Sequence, residues 1–205
     1  MTQPAHDHWN NRYDQTEAES LTWFQAEASQ SLALIAAYAP ARDLSVIDVG
    51  AGNSRLVDGL LARGLGDVTL FDLSDVALAQ TRDRLGPDQT KVHFQQGDIT
   101  QWKPARQWDV WHDRAVFHFM TSAAQQAAYL SAMDAGTASG AMIVMSTFAP
   151  SGPEKCSGLP VQRYDAQSLA ARLGAGYALL HHEEVAHPTP AGNVQDFLFT
   201  VFRKA

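Results

Sequence analysis

The chain has a single cysteine, Cys156, in 205 residues. It can form no internal disulfide, and a reducing interior is the simplest setting for it. Basic residues are also scarce: 15 Lys and Arg stand against 22 Asp and Glu, a formal net charge of −7. No long run of one sign redresses that balance. A phosphate-rich partner such as nucleic acid is therefore disfavoured, because such binding relies on Lys and Arg to neutralise the backbone. No stretch approaches the ~20 apolar residues of a membrane helix, and the opening MTQPAHDHWNNRYD lacks the apolar centre of a signal peptide. The expectation is a cytoplasmic chain with no membrane partner. What is present is ordinary for a globular protein, 45% hydrophobic and 18% charged residues. The length suits one domain with a substantial core.

The informative stretch is SVIDVGAGNSRLV, residues 45–57. Val46, Ile47 and Val49 form a short β-branched run ended by Gly50, the pattern of a buried strand in a parallel sheet. Beyond the turn Gly50-Ala51-Gly52, residues 54–62 place Leu56, Val57, Leu60 and Leu61 at helical spacing, and Gly64 stops the run. A glycine turn there lets a ligand approach the backbone, and the helix start offers free amide donors. A dinucleotide would require a third glycine where Arg55 stands, and Asp48 would set negative charge beside its diphosphate. A cationic ligand suits a nearby carboxylate better.

The run D-x-G-x-G at Asp48, Gly50 and Gly52, with Asp72 closing the next apolar stretch, resembles the class I S-adenosylmethionine-dependent methyltransferases. The resemblance implies a single doubly wound, mostly parallel seven-stranded α/β sheet with an antiparallel strand at one edge. It implies S-adenosylmethionine as cofactor. The turn from Gly50 to Asn53 would abut its methionine part, Asp48 would help hold that end, and Asp72, with Leu73 beside it, would accept from the ribose hydroxyls. Asp98 matches the acidic position that hydrogen-bonds the adenine amino group, with the Ile99 amide next to it.

The rest of the chain fits alternating strands and helices. Strands are expected at 68–71, 92–95, 108–112 and 141–147, with helices after Ser29 or Gln30, after Ser74 and after Thr121, the last two capped by those side chains. Asp48, Asp72 and Asp98 then share one rim, at the carboxyl ends of the strands. A long loop is expected at 148–162, followed by a helix from Asp165 to Leu173 and a closing hairpin near 177–184 and 195–203. Residues 6–25 carry Trp9, Tyr13, Trp23 and Phe24. This segment is either a helix packing one aromatic face on the domain or a lid, with Trp23, Phe24 and Gln25 reaching the cofactor pocket. Residues 1–29 are accordingly set apart from a cofactor-binding core at 30–205.

The expected catalytic residues are Asp113, Arg114 and His118. Asp113 and Arg114 stand at the centre of the sheet rim, where the transferred methyl group would lie. Arg114 suits an anionic acceptor, or else a structural pairing with a rim acid. His118, one helical turn on, is either a proton acceptor or a histidine packed between Phe117 and Phe119. Cys156 has no nearby charge to lower its pKa. His181, His182 and His187 lack ligand spacing, so no metal is expected. The aromatic-Gln pair at Phe24-Gln25 and the run Trp111-His112-Asp113-Arg114-Ala115 are similar to thiopurine S-methyltransferases, with Ala115 where that family has glycine and Asp72 where Glu is usual. That resemblance implies a small thiol or other soft acceptor. The same region is similar, with Arg114 for Lys, to protein lysine methyltransferases, the alternative. A nucleotide-binding oxidoreductase on the same sheet is disfavoured by Arg55 and Asp48.

Overall fold

A computed structural model describes residues 3–205. In chain order the elements are α1 (Gln3–Gln15), α2 (Ser29–Tyr38), β1 (Ser45–Val49), α3 (Leu56–Ala62), β2 (Asp67–Asp72), α4 (Asp75–Leu85) and β3 (Val92–Gln96). There follow β4 (Trp108–Arg114), α5 (Ala123–Ala135), β5 (Thr137–Phe148), β6 (Lys155–Cys156), β7 (Leu159–Pro160), α6 (Ala166–Leu173), β8 (Tyr177–Pro188) and β9 (Val194–Lys204). No helix among the described residues is long and apolar enough to cross a membrane.

The main sheet has seven strands in the order β3-β2-β1-β4-β5-β9-β8. β1 pairs in parallel with β2 and β4, as do β2 with β3 and β4 with β5. β9 is antiparallel to both neighbours, so the closing hairpin forms one edge with β9 inside and β8 outermost. β1 starts at the middle. The chain builds outward to β3 and then returns to β4 on the other side, which puts the reversal of strand order between β1 and β4, where ligands of such sheets bind.

Alternation along the strands feeds two cores. Val46, Val110, Val144 and Val201 face one side, packed with Leu34, Ile35, Leu56 and Leu60 of α2 and α3. Ile47, Trp111, Ile143 and Phe202 face the other, with Tyr129 and Met133 of α5. Each large side chain so buried contributes about 1.5–3 kcal/mol. Trp111, fully buried, also places its indole N–H 3.0 Å from the Tyr129 hydroxyl, which removes the cost of an unpaired donor.

Three local features differ from expectation. The cap of α5 is Ser122 rather than Thr121, because only from Ser122 does the third helical residue, Gln125, return its side chain to the cap amide. The fifth strand begins at Thr137, four residues before Ala141. The expected loop at 148–162 contains the hairpin β6–β7, whose turn residues Ser157 and Gly158 have φ of +50° and +79°. Ser74 caps α4 as expected, accepting from the Ala77 amide at 3.1 Å.

Candidate active site

A cavity opens at the strand-order reversal. Its floor is the end of β1 (Val49, Gly50), the end of β2 (Phe71, Asp72, Leu73) and the segment after β3 (Gly97, Ile99). Arg114, Ala115, Val116 and Phe119 wall the β4 side, and Trp9, Tyr13, Trp23, Cys156 and Phe197 complete the enclosure. Gly50 is held with φ +68°, its amide 2.7 Å from the Phe71 carbonyl. A side chain there would meet Val116 Cγ2 at 1.9 Å, so only glycine fits both the backbone and the neighbour.

Asp72 sits on the floor with its carboxylate accepting from the Gly52 amide and the Ser74 amide, each at 2.7 Å. Burial pushes its pKa up to about 6, against the pull of those two hydrogen bonds. A carboxylate has about four acceptor positions, so these two donors and a lesser one from the Leu73 amide still leave it capacity toward the cavity. Arg114 places Nη2 2.7 Å from the Trp23 carbonyl. Burial lowers its pKa, while the Asp48 charge supports the protonated form.

The cover is aromatic. Trp9 packs on Trp23 and Phe119 with ring centroids 6.0 and 5.2 Å apart, and Tyr13 packs on Trp23 at 6.2 Å. α1 is stitched down by polar contacts: Asn10 donates to Asp75 and accepts from the Ser74 hydroxyl, both at 2.7 Å, and Gln80 donates to the Tyr13 carbonyl at 2.9 Å. Arg12 donates to the Ser157 hydroxyl at 3.0 Å, which ties α1 to the β6–β7 turn.

Of the residues expected from sequence, Trp23, Gly50, Asp72, Leu73, Ile99 and Arg114 line this cavity. Six others do not. Asp48 is buried with Oδ1 2.6 Å from His112 Nδ1. Gly52 lies under the Tyr13 hydroxyl. Asn53 points along α4, to Gln80. Asp98 closes its own turn, accepting from Thr100 and Gln101. Asp113 is fully buried on the α5 side, accepting from the Val116 and Phe117 amides and the Tyr129 hydroxyl. His118 is fully buried against Phe119 and Phe148 with neither ring nitrogen hydrogen-bonded, and burial lowers its pKa to about 3. A ring so desolvated stays neutral and has no path to a substrate.

Phe119 and Phe197 were not expected at the site; Phe197 reaches it from β9, and nothing in local sequence marks that approach. Trp9 and Tyr13 had a signal, their spacing of four on one helical face, and that face meets both a small core with Leu21 and Ala77 and the cavity. Cys156 also lines the cavity, and burial pushes its thiol up to about 12, so it is no thiolate.

Residues 46–140 match the model of a family described as a methyltransferase domain. No curated protein sequence matches the chain at significant similarity. Among solved structures it resembles the 1,6-didemethyltoxoflavin-N1-methyltransferase of Burkholderia thailandensis, with TM-score 0.69 and 22% identity over 88% of this chain and 80% of that one. It also resembles the N-methyltransferase NodS of Bradyrhizobium japonicum, with TM-score 0.73 and 14% identity over 97% and 99%. A third likeness is to a protein described for the conversion of a disulfide bond into a thioacetal group during echinomycin biosynthesis, with TM-score 0.74 and 19% identity over 98% and 92%.

Proposed function

We propose that this chain, whose residues 46–140 match a methyltransferase-domain model, is an S-adenosylmethionine-dependent methyltransferase that methylates a small, soft nucleophile, a thiol being the best candidate. When bound, S-adenosylmethionine supplies a methyl group on a sulfonium, open to in-line displacement. The residues that would hold it are Gly50 at the bare turn, Asp72 as acceptor for the ribose hydroxyls, and Leu73 and Ile99 as apolar flanks of the adenine. They suit it: the buried Asp72 carboxylate keeps acceptor positions toward the cavity, and the glycine turn carries no side chain there.

The observation that carries the acceptor reading is the set of ionisable groups on the cavity wall. They are Tyr13, Asp72, Arg114 and Cys156. Tyr13 is raised well above its ordinary pKa by burial and by Asp72, and Cys156 is raised likewise by burial. Neither takes up a proton from an acceptor near neutral pH. Asp72 belongs to the cofactor side, and the buried His118 is shut away. An amine or hydroxyl acceptor requires a base to take its proton, whereas a thiolate or thioether does not. Arg114 favours the anionic form of the acceptor and orients it, and the rings of Trp9, Trp23 and Phe119 suit a small flat molecule. The protein's task is then proximity and orientation, on the order of 7–11 kcal/mol in well-aligned cases. The segment through residue 29 acts as the lid of a single functional unit whose core is 30–205.

Calorimetry with S-adenosylhomocysteine and with NAD tests the cofactor, and heat with NAD alone would sink the reading. Methyl transfer from labelled cofactor across thiols, amines, carboxylates and short peptides tests the acceptor. Turnover of lysine peptides above all thiols would transfer the reading to a protein lysine methyltransferase.

A further inference from the structure

Asp48 stops short of the cavity, and what holds it is organised. Ser31 on α2, His112 on β4 and Asp48 on β1 form a line of hydrogen bonds. Ser31 Oγ is 2.8 Å from His112 Nε2, and His112 Nδ1 is 2.6 Å from Asp48 Oδ1. The three residues are 1%, 3% and 3% exposed. The groups and their order are those of a serine hydrolase triad, in which histidine activates the hydroxyl for attack. A nucleophile needs an approach for its substrate, and Ser31 is on the buried face of α2 and does not line the cavity. Attack by Ser31 is ruled out by access.

The other end of the line is the informative one. With Nδ1–H donated to Asp48 and Nε2 bonded to the Ser31 hydroxyl, the ring is held at both nitrogens and a single orientation is selected. Asp48 Oδ2 receives no hydrogen bond from any described donor. Asp48 is followed directly by Val49 and Gly50 of the cavity floor, and its charge is felt at both cavity-wall ions. Burial is the larger cause of the high pKa of Asp72, and Asp48 adds to it; Asp48 also supports the charge of Arg114 against burial. Oδ2 is not among the fully enclosed polar atoms that lack a partner, so it keeps an accessible acceptor position that suits a cation.

We propose that His112, oriented by Ser31, is a positioning residue that fixes the Asp48 carboxylate behind the glycine turn for recognition of the ammonium at the amino-acid end of the cofactor. This rests on the S-adenosylmethionine reading. The imidazole does no proton transfer to the acceptor; its N–H, called for by the acceptor-only carboxylate, sets where the Asp48 charge lies, and Ser31 holds the ring from its other nitrogen.

The test uses calorimetry on the full chain with two ligands, S-adenosylhomocysteine and 5′-methylthioadenosine, which keeps the adenosyl thioether and lacks the amino-acid end. His112→Leu should lose about tenfold or more in affinity for S-adenosylhomocysteine, and stay within about twofold for methylthioadenosine. His112→Asn, whose amide N–H replaces that of Nδ1, should recover most of the loss. Ser31→Ala should show a smaller loss with the same ligand selectivity. Equal losses for both ligands, or none for either, would overturn the proposal. Should His112→Leu fail to fold, Ser31→Ala and His112→Asn carry the same ligand comparison. Wild-type protein that binds neither ligand overturns the cofactor reading along with this proposal, whereas wild-type binding with unselective variants overturns this proposal alone.

Discussion

Two carboxylates, Asp72 at the end of β2 and Asp113 near the end of β4, share burial, backbone donors and a raised pKa. Both are buried, both accept from two backbone amides, and burial pushes both up to a pKa of about 6. They differ in a side-chain partner. Asp113 also takes the Tyr129 hydroxyl and is closed in on the α5 face, whereas Asp72 has no such donor and lines the cavity. A perturbed carboxyl at a strand end is thus not by itself a sign of chemistry; the direction of the spare acceptor position decides. Asp113 holds the turn after β4 in shape, and Asp72 holds the glycine turn while leaving something for a ligand.

The largest effect should come from Asp113→Ala, which leaves two buried amides and a tyrosine hydroxyl without an acceptor. We expect a loss of about 3 kcal/mol or more in urea unfolding. A stable variant that had lost only methyl transfer would break the comparison and return Asp113 to the chemistry. Asp72→Ala should weaken S-adenosylhomocysteine binding by about 1–3 kcal/mol, and unchanged affinity would remove Asp72 from the site.

The two residues should also share a pH signature. Each carboxyl has a folded pKa of about 6 against an ordinary 3.8, so between those values the folded chain holds a proton that the unfolded chain releases. Each therefore makes the wild type lose stability as pH rises through that window, relative to the Asn variant. Only for Asp72 should S-adenosylhomocysteine affinity also change there, falling as pH drops below about 6. Denaturant melts and calorimetry at several pH values separate the two.

His118 gives the opposite sign. Its folded pKa of about 3 lies below the ordinary 6.5, so the wild type loses stability as pH falls below 6.5, when the unfolded chain takes up a proton that the folded chain refuses. With both ring nitrogens unpaired in the core, His118→Leu should raise stability by about 1–2 kcal/mol near neutral pH and keep methyl transfer. Lost transfer at unchanged stability would mark His118 as catalytic after all. The smallest effect is expected at Ala115, held at φ +73° in the cavity wall. In Ala115→Gly, relief of left-handed strain is offset by the greater entropy of unfolded glycine, and thermal unfolding should show a change of less than about 1 kcal/mol.

The alternation of strands and helices, the glycine turn and the Ser74 cap were legible because each is written in residues close together in the chain. β-branched runs make buried parallel strands, and a glycine where a Cβ would collide makes a turn. The same reading placed Asp48, Asp72 and Asp98 together on the rim, since all three follow or end a strand. It had no access to which way each carboxyl turns. His112, beside it on the neighbouring strand and 64 residues further on, takes one oxygen of Asp48, and Thr100 and Gln101 fold Asp98 back on its own turn.

The sequence by itself determined the sheet, the bare turn at Gly50 and the identity of the acidic rim, because hydrophobic period and backbone permissiveness are local properties. Only the tertiary structure decided that α1 roofs the cavity, that Phe197 reaches it from β9, and which acids line it. Those outcomes depend on burial and on partners far apart in the chain, where the free energy of a polar group is set by whatever donor packs beside it.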